Sequence, residues 1–201
     1  SGPNMKIILA SSSPRRSELL AQMGLSFEVI PSNSKESFSP DGTPEEMVLE
    51  LATQKAEDVA SKLEVQALVI GADTIVNKEG LILGKPKDKK EAYQMLLELS
   101  GQVHEVMTGI AVLDTTNHKR LTAVEKTLVE MASLTPEEIK WYIKTGEPMD
   151  KAGAYGIQGL GGILVRRIYG CYYNVVGLPI HRLWVILKQL GVKGLGIPVG
   201  N

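Results

Sequence analysis

The chain has a single cysteine, Cys171, among 201 residues. That scarcity excludes an internal disulfide and a thiolate-rich zinc cluster; with no signal-peptide pattern in view, it predicts a reducing compartment, the cytoplasm. Long apolar runs are missing too. Stretches such as 67–72 fall far short of the ~20 residues a helix needs to cross a bilayer, so no membrane partner is expected. No charge excess of one sign exists either: 22 Lys plus Arg face 23 Asp plus Glu, which removes the broad basic footprint of a duplex-binding protein. Aromatics make up only 5%, too few for the stacking platforms of a single-strand binder. No nucleic-acid partner is therefore expected, and any anion site must be local. The chain lacks the G-x-x-x-x-G-K-S/T loop of Walker-type nucleotide binding. The histidines at 104, 118 and 181 lack ligand spacing, so neither a zinc site nor a Ser-His-Asp arrangement can be built.

What is present suits a globular fold. A hydrophobic share of 43% supplies a sizeable core, since a chain of this size buries roughly 70% of its unfolded surface. Ser1-Gly2-Pro3-Asn4 before Met5 reads as a cloning remnant. Residues 5–201 are expected to form one domain, with two lobes around a cleft as a variant of it. Lys6 to Ala10 reads as a strand. Ser13 then caps a helix that has Pro14 at its first position and stops at Gly24. Phe27 to Ile30 is a second strand, and Thr43-Pro44-Glu45-Glu46 opens an amphipathic helix. The run Ala67-Leu68-Val69-Ile70 is a strand expected to stop at Gly71-Ala72-Asp73-Thr74. A hairpin follows, turning at 77–80 and returning through 81–83. Further elements are a helix opened by Asp88 and Glu91, a long strand pair over 103–113 and 121–131, a helix opened by Thr135, and a final helix over 179–190. The mix predicts an α+β fold on a sheet partly parallel and partly antiparallel.

Three stretches carry chemistry. The turn Ser11-Ser12-Ser13 between strand and helix aims backbone N–H groups and a positive helix end at one point, which suits an anion. Arg15 and Arg16 sit badly for the helix dipole unless a phosphate offsets them; the competing reading is a surface helix start with two solvated arginines. Asp73 at a strand end can hold a hard divalent ion or accept a proton from water, or simply cap a turn. The return strand of the hairpin can bring Lys85 back near Asp73. Finally, 147–162 holds Gly153, Gly156, Gly159, Gly161 and Gly162, a density that implies close backbone approach. Within it Gln158 has the donors and acceptor to read a base edge, and Asp150 with Lys151 can form an internal ion pair or touch phosphate.

These residues resemble the Maf (septum-formation-inhibitor-like) nucleoside triphosphate pyrophosphatases. The likeness rests on L-A-S-S-S-P-R-R-S-E-L-L at Leu9 to Leu20, Lys55 in A-T-Q-K-A, V-I-G-A-D-T at Val69 to Thr74, L-G-K-P at Leu83 to Pro86, L-S-G at Leu99 to Gly101, and E-P-M-D-K-A-G-A-Y-G-I-Q-G at Glu147 to Gly159. It implies a twisted mixed sheet flanked by helices around a deep cleft, similar to inosine-triphosphate pyrophosphatases. The implied activity cleaves a nucleoside triphosphate between its α and β phosphates, with a divalent cation such as Mg²⁺, Mn²⁺ or Co²⁺. Carried over by position, Ser11, Arg15, Arg16 and Lys55 bind substrate phosphates and Lys85 acts on the triphosphate. Asp73 is the proton acceptor, Glu36 a second catalytic acid, and the two acids are the metal ligands. Thr74 and Gln158, with the arginines, resemble the branch that prefers dTTP and UTP, so the expected partner is a pyrimidine nucleoside triphosphate. A homodimer through the long apolar hairpin and final helix is a further expectation. The second reading of the chain is a nucleotide-binding regulator of cell division or septum formation that acts through partners.

Overall fold

The computed structural model describes residues 5–34, 36, 37 and 39–193, so the stretch read as a cloning remnant lies outside the described residues. Among the described residues seven strands form one mixed sheet: β1 (Lys6–Leu9), β2 (Glu28–Val29), β3 (Ala67–Lys78), β4 (Leu81–Leu83), β5 (Val103–Asp114), β6 (Lys119–Met131) and β7 (Val165–Tyr169). Their order is β2-β1-β3-β5-β6-β7, with β4 paired to β3. β1 runs parallel to both β2 and β3, with Ile8 opposite Glu28 and Val69. The β3–β4 and β6–β7 pairs are antiparallel. The helices are α1 (Pro14–Gln22), α2 (Pro44–Ala60), α3 (Lys89–Leu99), α4 (Pro136–Lys144), α5 (Tyr172–Val176) and α6 (Ile180–Gln189).

Helix starts follow the cap chemistry read from sequence. The side chains of Ser13, Thr43, Asp88 and Thr135 accept from the backbone N–H of Arg16, Glu46, Glu91 and Glu138, each occupying a donor that the helix itself leaves unpaired. The reciprocal arm of the box closes at Thr135, whose N–H donates to the Glu138 carboxylate at 2.8 Å. At Asp88 it shifts by one residue, the Glu91 carboxylate accepting from Lys87 N instead.

The chain divides into two compact units, and it passes from one to the other within β3, β5 and β6 and again between Val176 and Gly177. The first takes the residues up to Asp73, Thr108–Glu125 and those from Gly177 onward. Its sheet face is built from Ile8, Ala10, Ala67, Val69 and Ala111, and Ala52, Ala56 and Val59 of α2 pack on it. Glycines let that helix come close. A Cβ on Gly71 would land on the Ala52 carbonyl oxygen and stand 2.9 Å from Ala56 N, and one on Gly109 would be 2.6 Å from the Val48 carbonyl. The second unit, Thr74–Met107 and Lys126–Val176, has its own core. There Leu96 and Leu99 of α3 and Ile139 and Tyr142 of α4 meet Val106, Val129 and Met131 of the strands.

One sequence expectation needs correction. The strand thought to stop at Gly71 runs unbroken from Ala67 to Lys78, so Asp73 is mid-strand. Gly71 and Ala72 read as chain punctuation, yet the missing side chain of Gly71 serves packing against α2. The short helix α5 was not anticipated, because five residues are too few to show a period.

Gly71→Ala is expected to lower the unfolding free energy by ~1–3 kcal/mol, the range for overpacking a tight core. Urea denaturation reads it, and an unchanged midpoint with unchanged slope would contradict the close approach.

Candidate active site

The close fit of α2 on β3 places Lys55 over the middle of the strand. Lys55 Nζ donates to Asp73 Oδ1 at 2.7 Å and to the Ala72 carbonyl at 3.3 Å. Both partners are largely withdrawn from water, the Lys55 side chain being 20% exposed and that of Asp73 12%. Arg16 completes the cluster from α1. Its Nε donates to the Gly177 carbonyl at 2.7 Å, which fixes the guanidinium. Burial pulls the Arg16 pKa down, the Asp73 charge pushes it back up, and neighbouring Arg15 adds to the lowering; an arginine keeps its proton throughout. The repulsion expected at the start of α1 is thus offset in part by Asp73 itself. Ser11 is buried at the end of β1, its hydroxyl accepting from Ser13 N at 3.0 Å. This unit therefore gathers one carboxylate, two cations and a polar turn.

Glu36 is exposed in the loop after β2, and Arg15 is half-buried on α1. Thr74 follows Asp73 in β3 and is half-buried. The β3–β4 ladder ends with Val76 opposite Leu83, so Lys85 lies beyond it, exposed. The Gly84 carbonyl accepts from Gly153 N at 3.1 Å, tying the Lys85 turn to the glycine-rich loop within the second unit.

That loop is organised around one carboxylate, Glu147. The Tyr142 hydroxyl donates to its Oε1 at 2.6 Å, Gly161 N to the same oxygen at 3.0 Å, and Leu160 N to Oε2 at 2.9 Å. Burial opposes ionisation of Glu147, but the hydrogen bonds from Tyr142, Gly161 and Leu160 and the charge of Lys151 hold its carboxyl below the ordinary range. The glycines are small because this group and its neighbours fill the space. A Cβ on Gly159 would be 2.5 Å from Glu147 Oε2, one on Gly161 2.5 Å from the Tyr142 hydroxyl, and one on Gly156 2.6 Å from Lys151 Cε. Lys151 forms the internal ion pair with Asp150 at 2.8 Å and also donates to the Glu147 carbonyl. Gln158, at the exposed tip of this loop, is carried by the Glu147 anchor. The same loop is tethered at Tyr155, whose buried hydroxyl lies 2.6 Å from His104 Nε2. His104 Nδ1 has no partner among the described residues, and burial pushes the imidazole pKa down to about 4.

Sequence reading placed no weight on Glu147, Tyr142 or His104. A spacing of glycines at 156, 159 and 161 about one preceding acid was the available signal. Lys55 was reached through resemblance alone; its place beside Ala52 and Ala56, on the small-residue face of α2, marks it as a helix residue aimed at the sheet.

A mixed sheet with these helices is also the fold of the HAM1 protein from Coxiella burnetii, at 15% identity and TM-score 0.52 over 92% of this chain and 99% of that one. The Staphylococcus aureus Ham1 protein is similar, at 17% and 0.51, with 92% and 99% covered. The fold class expected from sequence is therefore the one observed. The family model described as Maf-like protein matches residues 6–190, and the chain belongs to that family. Relatives named dTTP/UTP pyrophosphatase include one from Acetivibrio thermocellus, 54% identical over 197 residues, covering 95% of this chain and 98% of the relative. Another, from Clostridium tetani, is 51% identical over 191 residues, covering 94% and 100%.

Two outcomes test the loop. Glu147→Gln is expected to speed amide exchange at Leu160 and Gly161 by ten- to a hundredfold, following the ~1–3 kcal/mol lost when such donors go unsatisfied. Exchange unchanged at both amides would refute the anchor. For His104, the folded chain resists protonation until about pH 4, while the unfolded chain takes the proton near pH 6.5. Its contribution is thus fully present above pH 6.5 and falls away as the pH drops toward 4, by ~3 kcal/mol in all. Denaturation of wild type and His104→Phe across that window should show the shallower slope in the variant; equal slopes would contradict it.

Proposed function

We propose that the chain is a nucleoside triphosphate pyrophosphatase that hydrolyses dTTP and UTP to the monophosphate and pyrophosphate. The observation that carries the chemistry is the Lys55–Asp73 pair at 2.7 Å beside Arg16, in a family whose relatives bear that activity in their names. In this reading a water adds to the α phosphorus, the bond from that phosphorus to the α–β bridging oxygen breaks, and pyrophosphate leaves with the bridging oxygen. Asp73 accepts the water's proton. Lys55 fixes the carboxylate, and Arg16 and Arg15 with the Ser11 turn attract phosphate oxygens, where charge grows in the transition state. Lys85 is assigned to the triphosphate, and Thr74 and Gln158 to the base; all three rest on sequence. The Gln158 amide can pair with N3–H and a carbonyl of uracil or thymine, and a base that leaves those bonds unmade is rejected.

The donor set fits a hard divalent cation. Among the described residues no three His, Cys, Asp or Glu side chains cluster to hold an ion unaided, and Asp73 and Glu36 offer carboxylate oxygens, the ligands of Mg²⁺ or Mn²⁺. Such an ion characteristically takes one or two carboxylates and completes its shell with water and substrate phosphates. Bound there it would neutralise phosphate charge and acidify a water. No helix among the described residues is long and apolar enough to cross a membrane, and the free Cys171 suits a cytoplasmic setting.

The test is pyrophosphate release from dTTP and UTP, assayed beside other triphosphates with Mg²⁺ or Mn²⁺. Asp73→Asn is expected to lose at least about a hundredfold in turnover, the scale of a removed proton acceptor. Absence of turnover on every triphosphate, with tight dTTP binding by calorimetry, would overturn the reading in favour of a regulator acting through partners.

A further inference from the structure

A groove of about 420 Å³ lies between α3 and α4, inside the second unit, and its walls are Lys89, Lys90, Tyr93, Lys140, Ile143 and Lys144. Helical spacing explains the gathering: Tyr93 is one turn on from Lys89 and Lys90, and Ile143 and Lys144 one turn on from Lys140, so each helix turns one mixed face to the groove. The four lysines are exposed, Tyr93 is half-buried and Ile143 is buried, leaving an apolar floor under a ring of ammonium groups. None of the site residues assigned above lines it.

The nearby acids Asp88, Glu91 and Glu138 keep their charge but bond backbone N–H groups and not these lysines. Asp88 accepts from Glu91 N at 2.8 Å and Glu91 from Lys87 N at 3.2 Å, while Glu138 is turned to Thr135 N. Among the described residues none of the four lysines has an ion-pair partner. Four like charges held together without a counterion repel one another, and a bound polyanion would relieve that cost. Lysine ammoniums act on phosphate as point charges. The groove falls in the size range of small-molecule sites, ~300–1,000 Å³, and its tyrosine ring with the isoleucine offers a surface for an aromatic group. We propose that the groove binds a nucleotide carrying two or more phosphates, at a site separate from the one assigned to hydrolysis.

The experiment is a titration of the whole protein with ADP, free of divalent metal, followed by amide chemical shifts. Inorganic pyrophosphate and an oligoglutamate peptide are run as separate arms. Saturable shifts at residues 88–93 and 140–144 are expected, with ADP binding several-fold more tightly than pyrophosphate and affinity falling as salt is raised. Lys140→Gln with Lys144→Gln should weaken ADP about tenfold, as expected for two surface charges. Tyr93→Leu should bring ADP down to the affinity of pyrophosphate. Shifts confined to other segments, equal binding by the lysine variant, pyrophosphate binding as tightly as ADP, or tighter binding of the oligoglutamate would each overturn the proposal. Both lysines are exposed, and an unchanged spectrum of the core amides in the variant shows that it folds.

Discussion

The approach of α2 to the strand at Gly71 is the constraint on which the candidate site rests. A helix normally stands off a sheet by the thickness of its side chains, and a lysine on it then reaches solvent. Here Gly71 and Gly109 on the sheet, with Ala52 and Ala56 on the helix, remove that spacing. Lys55 comes down onto Asp73 at 2.7 Å as a result. The pair therefore depends on atoms that are missing from four other positions, and the sheet and helix are built to bring two charges together.

Such a pair is a poor device for stability. Withdrawing a carboxylate and an ammonium from water costs several kcal/mol per ion, and their attraction does little more than offset it. Apolar residues of similar volume would hold α2 to β3 at least as well. What the ion pair supplies is a carboxylate of fixed orientation with positive charge gathered around it, since Arg16 is pinned to the Gly177 carbonyl and feels the same anion. Local packing strength is given up where the proposed reading places a phosphate.

Much of this was legible in the chain. Cap residues named the starts of α1 to α4, the apolar run 67–70 named the central strand, and clustered glycines announced close backbone contact. The failures share a cause. Gly71 and Ala72 were read as a stop because glycine usually interrupts strands, whereas here a neighbouring helix uses the absent side chain. Lys55 was silent because an amphipathic period does not say how near a helix will lie to its sheet. Glu147 was silent because its partners, Tyr142, Leu160 and Gly161, meet it only after the loop has folded back. In each case the decisive quantity is a distance set only once the chain has folded, to which local pattern is blind.

The two carboxylates show how environment assigns work to one functional group. Glu147 accepts a hydroxyl and two backbone N–H groups, and these donors hold it ionised against its own burial. A proton arriving there would have to displace a donor, and the loop bearing Gln158 would loosen. Asp73 is faced by cations, not by a full set of neutral donors: Lys55 bonds one oxygen, and Arg16 acts through its charge. One acid is committed to the shape of its loop and the other, in the proposed reading, to chemistry, a division that follows from the groups around each and not from the residue type.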